Sequence, residues 1–355
     1  TARQGRVANC SSPDFDMIGN SNLLEARDTM SKSKLLPLLA DGEFRSGQDL
    51  ADALGVSRTA IWKQFNKLSE LGVDVESVKG RGYRIAGGIE LLDEPAILGS
   101  LNSEAASLLA QLDISDSIDS TNARAMTQIE QGASSGFVCT AERQTAGRGR
   151  RGREWVSPYA GNLYVSAVWE YSQGAAVLEG LSLAVGVAVA RALSNCGLPQ
   201  VQLKWPNDVL FDGAKLGGIL LEMTGDVAGT CQVVVGIGLN VQMPSFAADG
   251  IDQDWTDIET ISGGDRLSRS ALLAAVLNEL LPLLAEFEKN GFAPWQDQWQ
   301  ALDAFANQPV VLTSGEHARA GIARGVDARG ALQLESPTAG IQSVYGGEIS
   351  LRPQS

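Results

Sequence analysis

The chain has 355 residues, 44% of them hydrophobic, with 28 basic against 42 acidic residues and a net charge of −14. That length and apolar content allow a buried core and two or three domains and exclude a disordered chain; the acidity excludes a whole-chain nucleic-acid coat, so any contact with DNA must come from a local basic surface. Four scattered cysteines without a CxxC pair and a single histidine, His317, exclude a cysteine–histidine metal cluster and a Ser/His/Asp triad.

Residues 1–31 lack sustained periodicity and mix Gly, Ser, Asn and Asp, which predicts a disordered leader. From Lys34 the pattern becomes helical. Ser46-Gly-Gln-Asp49 resembles a capping box, Gly55 turns the chain, and Ser57 caps a second helix with Ile61, Phe65 and Leu68 on one face. Two apolar segments around Lys79-Gly-Arg-Gly82 then predict a hairpin, so residues 32–88 read as a winged helix-turn-helix. Between Lys32 and Arg84 nine basic residues outnumber seven acidic ones, leaving this stretch at +2 inside an acidic chain. Arg58, Thr59, Trp62 and Lys63 lie off the apolar face, where base edges would be read; Lys79 and Arg81 suit phosphate or minor-groove contacts. A small helical domain that binds protein is the alternative.

Residues 90–95 read as a connection. The region 95–306 alternates strand-like segments (136–143, 163–169, 201–204, 215–223, 232–240) with helix-like ones (122–130, 177–195, 270–289, 295–305), and Pro282 should kink the third helix. Several strands follow one another without a helical crossover, which predicts an α/β domain on a mixed or largely antiparallel sheet. Residues 308–355 contain short β segments and many glycines and predict a small β-barrel, making the chain a multi-domain α+β protein. No segment reads as a signal peptide or a membrane span, and the cysteines are expected to be reduced and structural, as in the cytoplasm.

Ala146 to Trp155 read AGRGRRGREW, four arginines among three glycines. Glycine leaves the backbone free to adapt, and each guanidinium presents a fixed fork of donors suited to carboxylate or phosphate. Such a loop can close over an anionic ligand; the plainer reading is a solvated or nucleic-acid-touching segment. Around it stand Asp119-Ser-Thr-Asn122, Gln144, Lys204-Trp-Pro-Asn-Asp208 and Lys215-Leu-Gly-Gly-Ile219, each at a strand end or turn. There is no GxxxxGK[ST], and Gly236-Ile-Gly-Leu-Asn240 lacks the third glycine of a dinucleotide fold.

Ser120-Thr-Asn122, QTAGRGRRGREW at 144–155, KWPND at 204–208, KLGGIL at 215–220 and GIGLN at 236–240, in that order, resemble the biotin–protein ligases. With the winged helix in front, the chain is similar to members that also repress biotin genes. The resemblance implies two steps: biotin and ATP give biotinyl-5'-AMP, and biotin then passes to one lysine of the biotin carboxyl carrier protein. It implies that Ser120, Thr121, Asn122 and Gln144 hold the ureido ring and that Arg148, Gly149 and Arg150 belong to the loop closing over biotin and phosphate. Lys215 would face the biotin carboxyl, and Lys204 and Asn207 the nucleotide phosphates. Asp208 would contact Mg²⁺, and Gly236 and Asn240 would complete the ligand-binding set. Trp155 either stacks on adenine or packs as core. Implied partners are the carrier protein, operator DNA and a second copy of the chain, in a homodimer formed on adenylate binding, with no membrane. Two other readings are a ligand-sensing repressor without catalysis and a lipoate–protein ligase; the GRGRRG loop and the polar set at 120–122 speak against the latter.

Overall fold

The computed structural model describes residues 35–353, apart from 227, 245–246, 248–249, 315–316 and 347–348. The expected leader, 1–31, lies outside the described residues. The chain divides into two compact units, Thr1–Ile89 and Glu90–Ser355.

In the first unit, a helical stretch at 35–39 precedes α1 (Gly47–Leu54) and α2 (Arg58–Glu70). The Ser46 side chain accepts from the Asp49 amide and Gly55 closes α1 in the left-handed region at φ 65°, a conformation that penalises a Cβ. Ser57 caps α2 through the Ala60 amide, and Ile61, Phe65 and Leu68 are buried with Leu35, Leu36, Leu39 and Leu50. The wing is the antiparallel pair β1 (Val75–Val78) and β2 (Gly82–Ile85), and Arg45 bridges to Tyr83 beside it. Gly82 is required here, because a Cβ would stand 2.1 Å from the Arg45 carbonyl oxygen.

The second unit begins with α3 (Glu94–Gly99) and α4 (Ser103–Leu108) and continues through β3 (Gln111–Ile118), α5 (Thr121–Glu130), β4 (Phe137–Gln144), β5 (Leu163–Tyr171) and α6 (Leu181–Asn195). It then runs through β6 (Gln202–Lys204), β7 (Asp208–Phe211), β8 (Ala214–Gly225) and β9 (Cys231–Leu239) to α7 (Ile258–Ile261), α8 (Arg269–Asn290) and α9 (Gln296–Leu302). The seven strands form one sheet in the order β3-β4-β5-β9-β8-β7-β6. Only β3 and β4 run parallel, joined by α5 as crossover; the other pairs are antiparallel, as the run of strands without helices predicts.

Period-two alternation splits the apolar residues between two faces. Val165, Ala167, Val233 and Val235 join α6 and α8 in the main core, while Val168 and Val234 meet Ala125 of α5 with Phe137 and Cys139 in a smaller cluster. Helix α8 is long and apolar enough to cross a membrane, but its leucines from Leu272 to Leu284 are buried against α6 and the sheet, so here it is a core helix. Its residues stay helical from Arg269 to Asn290, with Pro282 inside the helix.

The last strands, β10 (Pro309–Ser314), β11 (His317–Val326), β12 (Leu332–Ser336), β13 (Gly340–Val344) and β14 (Ser350–Pro353), form an antiparallel sheet in the order β13-β12-β11-β10-β14. The expected small β domain is present, but among the described residues its outer strands do not pair, so the sheet stays open where a barrel would close. Trp205 Nε1, just after β6, donates to the carbonyl of Gly330 in the turn between β11 and β12 at 3.1 Å, and the Ala304 amide, in the connection between α9 and β10, donates to Leu203.

Candidate functional site

Residues 147–155 form a short hairpin over one face of the large sheet. The Gly149 amide donates to the Arg153 carbonyl at 2.8 Å and the Trp155 amide to Gly147 at 2.9 Å, with a 3-10 turn at Arg150–Gly152. Gly147 must lack a side chain, since a Cβ would lie 2.4 Å from the Trp155 carbonyl oxygen. Arg150 reaches from the tip to two other segments: Nη1 donates to Asn207 Oδ1 at 2.7 Å, and Nη2 lies 3.4 Å from the carbonyl of Ile349, just before β14. Arg148, Gly149, Arg150, Trp155, Lys204, Asn207, Asp208 and Lys215 thus line one cleft of about 880 Å³.

At the floor of that cleft, Asp208 opens β7 and faces two lysines. Its Oδ2 is 2.9 Å from Lys204 Nζ and its Oδ1 2.7 Å from Lys215 Nζ, and the Asp208 side chain is only 11% exposed. Burial pushes this carboxyl toward the neutral acid, but Lys215 and Lys204 together outweigh it and hold the acidity below the usual carboxylate range. Asp208, the expected Mg²⁺ contact, therefore has each oxygen occupied by an ammonium. Among the described residues no group of three acidic, Cys or His side chains gathers to hold a metal. This donor set fits a lysine buttress and does not fit a protein-held cation.

The polar set expected around the ureido ring is assembled from three elements. Ser120, Thr121 and Asn122 start α5 and are buried. The Thr121 amide donates to Gln144 Oε1 at 2.8 Å, and Gln144 Nε2 to Ser157 Oγ at 3.1 Å. Ser166 Oγ from β5 lies 2.6 Å from Asn122 Oδ1 and 2.8 Å from Thr121 Oγ1. Two glycines of β9 make room for these neighbours. A Cβ on Gly236 would stand 2.1 Å from Asn122 Oδ1, and one on Gly238 2.6 Å from the Trp155 indole. The glycines of GIGLN serve close approach of side chains to a strand, the role left for them once the dinucleotide reading was set aside.

Trp155 packs against this glycine path with Lys215 Nζ 5.5 Å from its ring centroid, and its buried Nε1 finds no partner among the described residues. It also lines a second cavity of about 460 Å³ with Asn240, Met243 and Trp255. Asn240 is turned to the backbone: its amide donates to the Thr256 carbonyl at 3.0 Å and the Lys215 carbonyl at 3.4 Å. Sequence reading missed Arg352, on β14, which lines the main cleft, and Glu222, on β8, which pairs with Arg148 at 3.1 Å. No local signal marked either, since both sit in ordinary strand sequence far from the motifs.

In the first unit, Arg58, Thr59, Trp62 and Lys63 are exposed along α2, and Lys79 and Arg81 are exposed at the wing. Arg81 stacks on Phe44, its guanidinium carbon 4.1 Å from the ring centroid, with Arg84 at 4.4 Å from the same ring.

The two units define the class: a winged helix-turn-helix with an exposed basic helix, and an α/β unit whose cleft is lined by cations suited to an anionic ligand. Residues 114–240 match the biotin/lipoate A/B protein ligase family, residues 32–84 an HTH domain, and residues 305–352 the biotin protein ligase C-terminal domain. The bifunctional ligase/repressor BirA of Escherichia coli is 42% identical over 92% of this chain and 98% of its own length, and that of Bacillus subtilis 32% over 88% and 95%. A biotin protein ligase from Aquifex aeolicus, solved with biotin and ATP, superposes with a TM-score of 0.59 at 30% identity, covering 69% of this chain and all of that one. The chain belongs to the biotin protein ligase family, in its bifunctional ligase/repressor branch.

Proposed function

We propose that the protein joins biotin to ATP as biotinyl-5'-AMP, transfers the biotinyl group to a lysine of the biotin carboxyl carrier protein, and represses biotin genes when the adenylate is bound. The observation that carries the ligase half is the Lys204–Asp208–Lys215 arrangement under the arginine hairpin. In the first step a biotin carboxylate oxygen attacks the α-phosphorus and pyrophosphate leaves, so an anion must approach an anion. Preorganised cations neutralise that encounter without having to reorganise. Asp208 holds both ammonium groups at one spot, 2.9 and 2.7 Å from its oxygens. Arg150 is held against Asn207 above them. In the second step the carrier's lysine amine attacks the acyl carbon, loses a proton, and AMP departs.

Thr121 and Gln144 present matched neutral donors and acceptors of the kind a ureido ring needs. Asn207 and Arg352 extend the cleft toward the phosphates, and Trp155 and Trp255 flank the cavity that suits the adenine. Any Mg²⁺ of the nucleotide would be held by phosphate and water, since Asp208 is already spent on lysines. ATP, carrier and operator place this work in the cytoplasm.

The repressor half rests on the exposed basic helix and wing. One winged helix makes few contacts, whereas two on a symmetric dimer read paired half-sites. Adenylate binding favours the dimer, and linkage requires the dimer to bind adenylate more tightly in return. Incubation with biotin, ATP, magnesium and a carrier domain should raise the carrier's mass by one biotinyl group. A pure sensor would show neither that nor ATP–pyrophosphate exchange. Sedimentation and DNA-shift assays with and without adenylate test the dimer; unchanged association and DNA affinity would leave only the ligase.

A further inference from the structure

We propose that Glu222 is a positioning residue that latches the arginine hairpin onto the sheet, and that Asn122 serves as the foot of this latch and not as a ligand donor. The inference rests on the ligase reading for its functional consequence.

Gly218, Leu220 and Glu222 alternate onto one face of β8, and Leu220 and Glu222 line a cavity of about 670 Å³ beneath residues 145–154. There a single carboxylate oxygen, Glu222 Oε2, accepts from Asn122 Nδ2 at 2.7 Å and from Arg148 Nη2 at 3.1 Å. Asn122 cannot swing away to meet a ligand at no cost. Its Oδ1 accepts from Ser166 at 2.6 Å, its Nδ2 also lies 3.4 Å from the Leu220 carbonyl, and the bare Cα of Gly236 leaves just enough room for it. Every polar atom of the Asn122 side chain is thus engaged by protein. The result is a chain of polar contacts from β5 through α5 and β8 to the hairpin: Ser166, Asn122, Glu222, Arg148. Arg150 anchors the hairpin tip on its other side, to Asn207. The two arginines divide the work, with Arg148 holding the hairpin down and Arg150 facing the nucleotide end. Because Arg148 is 46% and Glu222 28% exposed, solvent screens the pair, so the latch is weak enough to open for substrate entry.

The test uses the full chain and the variants E222Q, R148Q and their double. E222Q keeps an amide oxygen for Asn122 but removes the charge that holds Arg148. Trypsin cleavage within 148–153 of the ligand-free protein should be faster in E222Q by about two- to fivefold, the range a half-exposed ion pair supplies. Release of preformed biotinyl-AMP should accelerate by a similar factor, with pyrophosphate exchange at saturating substrates near wild type. A purely structural glutamate would lower the melting temperature without this split between retention and turnover. If E222Q folds poorly, R148Q carries the test from the other partner and should speed trypsin cleavage of the ligand-free protein at Arg150, Arg151 or Arg153 by a similar factor. A double variant no worse than either single supports the latch; additive effects, or wild-type cleavage and release in E222Q, overturn it. Failure of the ligase reading would appear differently, as a wild-type protein that forms no adenylate while the cleavage difference persists.

Discussion

Two sets of basic residues in this chain use the same chemistry in opposite settings. In the ligase cleft Lys204 and Lys215 share Asp208, Arg148 rests on Glu222 and Arg150 on Asn207. Along α2 and the wing, Arg58, Lys63, Lys79 and Arg81 are exposed, and none pairs with a carboxylate among the described residues. A small anionic ligand must be held at one point, so its cations are pre-positioned by internal partners that limit their entropy and desolvation costs. A nucleic-acid backbone is a long, hydrated array of charge, so cations for it remain in water and act by counterion release. Pairing, and not the count of lysines and arginines, tells the two uses apart.

The comparison is broken most sharply at Lys215. Lys215→Ala should slow adenylate formation by about two to three decades, the effect of removing one preorganised charge. It should also destabilise the fold, because Asp208 stays buried with one lysine; ATP–pyrophosphate exchange near wild type would show that Lys215 only neutralises Asp208. Arg150→Gly should bind biotin but hold the adenylate about one to two decades less tightly, since a charge-assisted contact contributes roughly 1.5–3 kcal/mol. Biotinyl-AMP leaking into solution and labelling bystander lysines would register this, and retention like wild type would refute it.

At the wing, Lys79→Ala combined with Arg81→Ala should weaken binding uniformly across DNA sequences and reduce the slope of log affinity against log salt by about two. Melting temperature should fall only slightly, as both side chains are exposed and the loss is confined to the surface stacking of Arg81 on Phe44. A change in sequence preference instead would turn these from phosphate contacts into base readers.

Asp303 sharpens the comparison from the acidic side, for it is a carboxyl placed inward with no cation beside it among the described residues. Burial pushes its carboxyl up to about 6 from 3.8, and its buried Oδ2 has no partner among the described residues. The fold favours the neutral acid, so this stabilisation is complete below about 3.8 and is lost as pH rises through about 6. The loss amounts to roughly 2–3 kcal/mol at most. Asp303→Asn should flatten stability over that window in thermal melts, and a slope equal to wild type would rule the group out.

Much of this was legible from residue order. Ser46 and Ser57 announced both helix starts, and the alternation of β5 and β9 announced strands, because caps and periodicity are local. Strand β3 went unread: its Asp113, Ser115 and Ser117 suit a sheet edge and dilute the apolar signal. Strand β7, four residues inside KWPND and its sequel, was too short to register.

The sequence by itself determined which residue types are present for the chemistry and that they cluster at turns, since motif spacing and turn propensity belong to neighbours along the chain. Only the tertiary structure decided their partners. Asp208 meets Lys215 because β7 pairs with β8, Glu222 meets Asn122 because β8 lies across the face that α5 covers, and Arg352 enters the cleft because the C-terminal sheet folds back onto it. Those meetings join positions that are distant in sequence, and local propensity has no term for them.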